Sequence, residues 1–277
     1  MASEAEKKEQ TQEHEPIIEV TNLVKCFGRR RVLDGINMKV YKGQTAVIMG
    51  GSGCGKSTLL RCLIGAYRPD EGEIKLFGKD IAKMDEHELN EVRKRFGVVF
   101  QSAALYKSMT VGENVALPLR EHYNLDENII RIIVKIKLEL VHMRDFESYM
   151  PSQLSGGMQK RVGIARAIAM DPEIVFYDEP TAGLDPIVTS HIDHLIMDLS
   201  KKLHVTSVVV THDMASAFRI ADRIFVLKDG KFVEEGTPEE VKNSKDEFVQ
   251  QFITGKPDGP VPLSRSASDF LEDLIGE

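Results

Sequence analysis

Residues 50–57 read Gly50-Gly51-Ser52-Gly53-Cys54-Gly55-Lys56-Ser57, which fits the pattern G-x-x-x-x-G-K-[ST]. The glycines allow successive backbone N–H groups to turn inward around an anion. The apolar run 45–49 predicts a buried strand, and residues 56–65 predict a helix whose positive N-terminus points at the same place. In this setting Lys56 can reach the β and γ phosphates of a nucleotide, and Ser57 can offer its hydroxyl to Mg²⁺. We call residues 50–57 the phosphate loop.

Two alternatives to a nucleotide phosphate site concern the same eight residues. The dinucleotide-binding pattern G-x-G-x-x-G fails, because a match that begins at Gly51 places Lys56 where the last glycine should stand. A glycine-rich turn with an incidental lysine stays open from these eight residues alone. The strand before the loop and the helix after it favour the phosphate site.

Two acidic residues follow another apolar strand candidate. Residues 174–177 read Ile-Val-Phe-Tyr, and Asp178 and Glu179 come directly after them. The carboxyl ends of parallel strands form the usual ligand-binding edge of an α/β sheet. There Asp178 would hold the hydration shell of Mg²⁺, and Glu179 would orient and deprotonate an attacking water. An exposed acidic turn after a core strand is the alternative.

Two further polar residues follow strand candidates in the same way. His212 follows the strand 207–211, where its imidazole could bind the γ-phosphate and the water. Gln101 follows the strand 96–100. Taken alone, each of them is more simply a structural or exposed polar residue.

The order of the predicted elements favours an α/β fold. Strands are predicted at 17–23, 32–40 and 73–77 as well, and the later strands alternate with helices, which implies a mostly parallel sheet covered on both faces. The pair Asp229-Gly230 predicts a hairpin between the strands 224–227 and 231–235. Ser155 predicts the start of a helix that ends before Pro172.

A further helix is predicted over Asn128–Met143. It places Ile129, Ile133, Ile136 and Leu140 on one face, which predicts that this face packs against the rest of the protein. The many β-branched residues of this stretch lower its intrinsic preference for helix.

Composition excludes several classes of protein. The 277 residues are 42% hydrophobic and 29% charged, which excludes an intrinsically disordered chain. The net charge of −7 argues against a dedicated duplex-DNA binder, whose surface is usually basic. The cysteines at positions 26, 54 and 62 fit no zinc-binding spacing and predict reduced thiols. We expect neither a signal peptide nor a membrane span, so work at a membrane would need a partner.

A second glycine motif indicates a second copy of the chain. Residues 154–158 read Leu154-Ser155-Gly156-Gly157-Met158 and place a serine and two glycines at a predicted helix start, which is another anion site. Two such helix starts in one chain make sense if the second serves a nucleotide that another copy holds.

With this motif the chain resembles the ATP-binding subunit of an ABC transporter over roughly residues 17–253. Six motifs occur in that family's order: the phosphate loop, the glutamine loop at Gln101, the signature at 154–158, the carboxylate strand at 174–179, the aspartate loop Ala182-Gly183-Leu184-Asp185 and the histidine switch at His212. The signature departs from the family pattern at Met158, where glutamine is usual. Because backbone N–H groups and Ser155 would contact the phosphate, this departure does not put ATP binding in doubt.

The resemblance implies a fold and an assembly. The fold is α/β, with a P-loop NTPase core of the ABC ATPase type: a mostly parallel sheet flanked by helices, an antiparallel β edge and a helical subdomain. The assembly is a head-to-tail homodimer that closes on two ATP molecules, each between the phosphate loop of one copy and Ser155-Gly156-Gly157 of the other. Closure would be a population shift driven by binding, and hydrolysis would reset it.

The resemblance also implies a role for each site residue. Glu179, His212 and Gln101 are implied as catalytic, and Ser57, Gln101 and Asp178 as the residues around Mg²⁺. Phe27 is implied to stack on adenine, with a core aromatic as the alternative. The other implied nucleotide contacts are Gly50, Gly51, Ser52, Gly53, Cys54, Gly55, Lys56, Ser57, Thr58, Ser155, Gly156, Gly157, Met158 and Asp185.

The implied domain organisation has three parts. Residues 1–15 are a disordered tail, residues 16–254 are the ABC ATPase domain with a helical subdomain at about 85–165, and residues 255–277 are a C-terminal extension. The extension carries an apolar stripe at Phe270, Leu271, Leu274 and Ile275, which could dock on the neighbouring copy. A frayed terminus is the alternative.

A narrower resemblance concerns the stretches 100–105, 109–115, 118–122 and 183–187 together with the signature. They resemble the Mla-type (Ttg2/Mce-associated) ATPases of bacterial lipid transport. This implies a peripheral subunit at the cytoplasmic face of the inner membrane, bound to an MlaE-like permease, with an MlaD-like MCE substrate-binding protein and an MlaB-like STAS-domain protein in the complex. The implied cargo is glycerophospholipid, moved between the inner and outer membranes.

Three alternatives differ in class or cargo. An importer or exporter of another small substrate stays open, because an ATPase subunit need not touch the cargo. A nucleic-acid-linked ABC ATPase usually has two cassettes or basic segments, and neither is apparent, so no nucleic-acid partner is expected. A regulator that binds nucleotide without hydrolysis is opposed by the intact Glu179 and His212.

Overall fold

A computed structural model describes residues 15–256 of the protein. The predicted N-terminal tail, apart from Glu15, and the apolar stripe at 270–275 lie outside these residues. The predicted C-terminal extension also lies outside them from residue 257 onward.

The described residues form ten strands and nine α-helices. The strands are β1 (Pro16–Phe27), β2 (Arg30–Tyr41), β3 (Thr45–Gly50), β4 (Glu71–Leu76), β5 (Lys79–Asp80), β6 (Phe96–Val99), β7 (Ile174–Asp178), β8 (Thr206–Thr211), β9 (Arg223–Lys228) and β10 (Lys231–Gly236). The helices are α1 (Lys56–Leu63), α2 (Glu86–Arg93), α3 (Val111–His122), α4 (Glu127–Leu140), α5 (Gly156–Ala167), α6 (Pro186–Leu203), α7 (Met214–Ile220), α8 (Pro238–Lys242) and α9 (Glu247–Thr254). Two short 3₁₀ turns, Arg144–Phe146 and Pro151–Gln153, lie between α4 and α5.

The strands form two sheets. The larger sheet has the order β10-β9-β3-β8-β7-β6, and all of its pairings are parallel except that of β10 with β9. The smaller sheet is antiparallel, with the order β2-β1-β4-β5. The predicted α/β fold with a mostly parallel sheet and an antiparallel edge is therefore confirmed.

The larger sheet has an apolar core on each face. All six residues of β3 are buried, and successive side chains of a strand point to opposite faces. Val47 and Met49 belong to the core that includes α3, α4, α5 and α6. Ala46 and Ile48 belong to the core that α1 and the smaller sheet complete. Burial on both faces explains why β3 reads as a continuous apolar run.

Local sequence signals set several element boundaries. Asp229 and Gly230 have φ angles of 45° and 79°, and they join β9 to β10 in the predicted hairpin. The Ser155 side chain accepts a hydrogen bond from the Met158 N–H at 3.3 Å and caps α5. The helix ends at Ala167, before Pro172, as predicted.

Helix α4 exists as predicted, but the predicted buried face is only partly right, because of its four residues only Ile133 and Leu140 pack against the core, and both are partly buried. Ile129 and Ile136 are exposed, whereas Ile130, Val134 and Leu138 are buried. Because each residue turns a helix by about 100°, the buried face is rotated by roughly one residue from the predicted one. Apolar residues occupy both faces of this helix, so periodicity could not choose between them, and packing against α3 and α5 decides.

Among the helices of residues 15–256, none combines the length and the apolar character that crossing a membrane requires.

Candidate functional site

The sheet order brings four predicted motifs to one edge. Strands β3, β8, β7 and β6 are parallel neighbours, so their carboxyl ends lie side by side. The register pairs Met49 with Thr211, Asp178 with Val210, and Val99 with Tyr177. The phosphate loop, His212, Asp178-Glu179 and Gln101 therefore leave the sheet next to one another.

The phosphate loop packs tightly against neighbouring backbone. A Cβ at Gly50 would lie 2.2 Å from the carbonyl oxygen of Leu227. Gly55 has a φ of +112°, and a Cβ there would lie 2.9 Å from the carbonyl oxygen of Val32. Both positions require glycine, because a side chain would collide with main-chain atoms that cannot move freely.

Lys56 lies across this loop. It is 8% exposed, and its Nζ donates to the carbonyl oxygens of Gly50 at 2.8 Å and Gly51 at 2.9 Å. The ammonium is thus held at the mouth of the loop. Around it, Gly51, Cys54 and Thr58 are half-buried, while Ser52, Gly53 and Ser57 are exposed.

Glu179 is held in a defined orientation by its neighbours. It is 9% exposed, has a φ of +47°, and donates its backbone N–H to the Val210 carbonyl at 2.9 Å. One carboxylate oxygen, Oε2, lies 2.9 Å from Nδ1 of His212 and accepts the His212 backbone N–H at 3.4 Å. The His212 side chain itself is 65% exposed. The predicted base and the predicted histidine switch are therefore in direct contact.

Asp178 presents an oxygen that needs a partner. Its Oδ1 is buried and has no hydrogen-bond partner among the described residues. Burial, and then the neighbouring charge of Glu179, raise the pKa of the Asp178 carboxyl above its usual range. A cation would relieve both effects. Hydroxyl, carboxylate and amide oxygens are ligands that Mg²⁺ prefers, so Ser57, Asp178 and Gln101 fit a magnesium site.

The signature residues lie at the start of α5. Ser155 and Gly156 are exposed, Gly157 is buried and Met158 is half-buried. Gln159, the residue after the unusual Met158, donates its side-chain amide to the carbonyls of Pro151 at 3.1 Å and Leu154 at 3.2 Å. It stabilises the turn before the signature. Contact of the signature with a nucleotide stays a prediction.

Two more predicted nucleotide contacts have defined places. Phe27 is 47% exposed and meets Tyr67 edge to face, with ring centroids 5.5 Å apart. Its ring is therefore not a core aromatic, and about half of the residue is accessible to a planar ligand. Asp185 caps α6, accepting the N–H groups of Ile187 and Val188 at 3.0 Å each. Its contact with nucleotide stays a prediction.

Sequence reasoning missed two residues of this region. Tyr67 orients Phe27, and no pattern in the sequence marks it. Lys160 is 6% exposed and donates to the main-chain carbonyls of Gln101 and Glu179. A lysine followed by the apolar run 162–165 within a predicted helix was the one available signal for a buried cation.

The chain is similar to known proteins over most of its length. A family model described as ABC transporter matches residues 33–182. The chain is 46% identical over 259 residues to the intermembrane phospholipid transport system ATP-binding protein MlaF of Haemophilus influenzae, covering 94% of this chain and 98% of that one. It is 40% identical over 252 residues to the probable ribonucleotide transport ATP-binding protein mkl of Mycobacterium leprae, covering 91% of this chain and 73% of that one.

A solved structure is similar as well. It is a dimeric ATP-binding cassette in a post-hydrolysis state, bound to ADP and Pi. It aligns with a TM-score of 0.73 and 34% identity, over 80% of this chain and 98% of that chain.

Proposed function

Because the chain belongs to the ABC transporter family, we propose that it is the ATP-hydrolysing subunit of a bacterial transporter that moves phospholipid between the inner and outer membranes. The observation that carries ATP hydrolysis is the buried Glu179, bonded to His212 at the sheet edge that the phosphate loop shares. The observation that favours phospholipid is the 46% identity to a phospholipid transport subunit over 94% of the chain.

The chemistry of the site follows from its geometry. Lys56 leaves the carbonyls of its own loop and binds the β and γ phosphates, while the loop's N–H groups surround them. Glu179 accepts a proton from the water that attacks the γ phosphorus. His212, which follows β8, holds the Glu179 carboxylate in place through its Nδ1. Gln101 positions the same water from the turn after β6. Phe27 stacks on the adenine ring.

Magnesium is part of this proposal. When bound, Mg²⁺ neutralises the charge that develops between the β and γ phosphates. Ser57, Asp178 and Gln101 would hold it, and the unpartnered Oδ1 of Asp178 supports this assignment. These residues would hold the cation at the same edge of the sheet as Glu179.

A second copy of the chain completes each nucleotide site. Ser155 and Gly156 are exposed at the start of α5, so they are accessible to another molecule. The solved cassette similar to this chain is dimeric. We assign Ser155-Gly156-Gly157, with Met158 and Asp185, to the nucleotide of the partner copy, and closure of the dimer on ATP provides the power stroke.

The permease would dock beside the glutamine loop. Phe100 and Tyr106 are 43% and 54% exposed on either side of Gln101's turn. They line a groove of about 430 Å³ that Pro118 and His122 of α3 also line. An exposed aromatic pair at a groove suits an apolar partner helix. The subunit would thus work peripherally at the cytoplasmic face of the inner membrane, with MlaE-, MlaD- and MlaB-like partners in one complex.

The domain boundaries belong to the same proposal. Residues 16–254 form the ATPase domain, and the helices of about 85–165 form its helical subdomain. Strand β6 lies within residues 85–165, but it pairs with β7 of the larger sheet. The helical subdomain is therefore interrupted at this strand. We also propose that the extension beyond residue 254 docks on the neighbouring copy.

A purification from native membranes tests the proposal. The tagged chain is isolated with its partners, and the co-purifying proteins and lipids are identified by mass spectrometry. We expect a multi-helix permease and glycerophospholipid, and ATP hydrolysis that rises in proteoliposomes that contain the permease. A complex carrying Glu179→Gln should hold the same partners without hydrolysis.

One alternative cargo has direct support. The mycobacterial relative is named a probable ribonucleotide transport subunit, but its match covers only 73% of that chain. Stimulation of the reconstituted complex by ribonucleotides, with no response to phospholipid, would favour that cargo. Stimulation by nucleic acid without permease would instead indicate a different class of ABC ATPase.

A further inference from the structure

A side chain on one face of α5 donates hydrogen bonds to the main chain of the glutamine loop and of the carboxylate strand. The Nζ of Lys160 donates to the Glu179 carbonyl at 3.2 Å and to the Gln101 carbonyl. Lys160 is 6% exposed, so this ammonium has exchanged water for these two carbonyls. A buried ammonium is costly unless such partners are present. The position of Lys160 is therefore closely coupled to both loops.

Arg166 and Gly163, on the same face of α5, make further close contacts with the segment after Gln101. Arg166 donates to the carbonyls of Ala104 at 2.7 Å and Ala103 at 2.9 Å. Between the two cations, Gly163 lies so close that a Cβ would meet that of Ala103 at 3.3 Å. Residues 160, 163 and 166 share a helix face because they are spaced by three. The segment from Gln101 to Ala104 is thus anchored to α5 along its length.

The main chain that these side chains contact includes residues in the left-handed backbone conformation. Ala103 and Ala104 have φ angles of +58° and +48°, and Glu179 has +47°. The left-handed region costs an alanine or glutamate about 1 kcal/mol or more, and such residues persist only where the surroundings hold them. Lys160 and Arg166 help to stabilise these conformations, because they donate hydrogen bonds to carbonyls of the strained residues or of residues close to them.

We propose that Lys160 is a positioning residue that couples the two nucleotide sites of the dimer. This rests on the proposed function, in which Ser155 at the start of α5 contacts the partner's nucleotide. Lys160 lies five residues further along, about 7.5 Å up the helix axis. Because a helix moves as a rigid rod, a shift of its start on the partner's ATP moves the Lys160 ammonium. That ammonium then moves the main chain of Gln101 and Glu179, which serve the chain's own ATP.

Lys160→Met in the full chain, within its transport complex, tests this. Methionine fills a similar volume but donates no hydrogen bond. Lys137→Met is the matched control, because Lys137 is 4% exposed, belongs to α4 and pairs with Asp171 away from the site. We expect Lys160→Met to bind a fluorescent ATP analogue as wild type does, to keep KM within two-fold, and to lose at least ten-fold in kcat. Lys137→Met should lose less than two-fold in kcat.

Local order supplies a readout that a general loss of stability would not reproduce. In hydrogen exchange, we expect the amides of 101–104 and 179–182 to exchange faster in Lys160→Met than in Lys137→Met, at equal melting temperature. Lys160→Gln keeps two N–H donors on a shorter arm, so its kcat should lie between those of wild type and Lys160→Met. If Lys160→Met does not fold, the same comparison is made between Lys160→Gln and Lys137→Gln, with a three-fold loss of kcat expected for the former alone.

The outcomes separate this inference from the proposed function. If Glu179→Gln abolishes hydrolysis as expected but Lys160→Met matches Lys137→Met in kcat and in exchange, the coupling role of Lys160 is wrong and the ATPase assignment stands. If Glu179→Gln hydrolyses ATP normally, the proposed function itself fails.

Discussion

Replacing Glu179 with glutamine changes the proposed base and little else. Glutamine has the same shape, and its side-chain oxygen can still accept a hydrogen bond from His212, whose Nδ1 lies 2.9 Å from Oε2 in the native site. The backbone N–H bond to Val210 is untouched. The hydrogen bonds of the Glu179 side chain within residues 15–256 go to His212 and not to Lys56 or the loop glycines, so ATP binding should be retained. What is lost is the ability to take a proton from water.

The magnitude follows from the role. A positioned general base contributes about 10²- to 10⁴-fold to a rate. The lower limit of 100-fold corresponds to about 2.7 kcal/mol in activation free energy, at 1.36 kcal/mol for each factor of ten. We therefore expect kcat for ATP to fall by about 100-fold or more, with a trapped, ATP-loaded dimer. The free energy of unfolding should change by about 1 kcal/mol or less, since no buried group is left unpaired.

The assay measures phosphate release at saturating ATP and dimer mass by light scattering. Glu173→Gln is the control, because Glu173 precedes β7, at the opposite end of the strand from Glu179, and binds Arg95 in an exposed ion pair at 2.6 Å. Its kcat should equal that of wild type. Turnover of Glu179→Gln within three-fold of wild type would remove Glu179 from the role of base.

Three further substitutions test other parts of the structure. Lys56→Ala should weaken binding of a fluorescent ATP analogue by ten-fold or more, because a charge-assisted contact to phosphate is lost, and titration measures this directly. Gly55→Ala should lower the free energy of unfolding by about 1–3 kcal/mol, whereas Gly51→Ala, where a Cβ would meet no atom within 4 Å, should leave the melting temperature unchanged. Ile130→Ala should cost about 2–4 kcal/mol and Ile132→Ala less than about 0.5 kcal/mol in chemical denaturation, since the two side chains are 2% and 58% exposed; equal costs would contradict the orientation of α4.

Much of the fold could be predicted from local patterns. Some features depend on backbone conformations that few residue types allow, so the residue types predict them. They are the phosphate loop, the strand before it and the hairpin at Asp229-Gly230. The carboxyl-end positions of Asp178, His212 and Gln101 also follow, because parallel strands deliver what comes after them to one edge. The predicted candidate site was therefore assembled from neighbours in the sheet.

The orientation of α4 could not be predicted. Isoleucine, valine and leucine residues together cover about two thirds of the circumference of that helix, so its hydrophobic pattern fits more than one buried face. Which face is buried depends on the shapes that α3 and α5 present to it. These helices are brought to α4 by the chain's path, which no local window contains.

The sequence alone determined the motif chemistry: a glycine loop for phosphates, an acidic pair after a buried strand and a serine-glycine helix start, each specified by residue types within a few positions. Only the tertiary structure decided that Glu179 meets His212, that Asp178 keeps an unpaired oxygen and that Lys160 bridges two loops. Lys160 lies 59 residues from Gln101 and 19 from Glu179 along the chain. The physical reason is that a hydrogen bond depends on distance in space, and folding brings together residues that lie far apart along the chain, so the pattern within a short stretch does not reveal the contact.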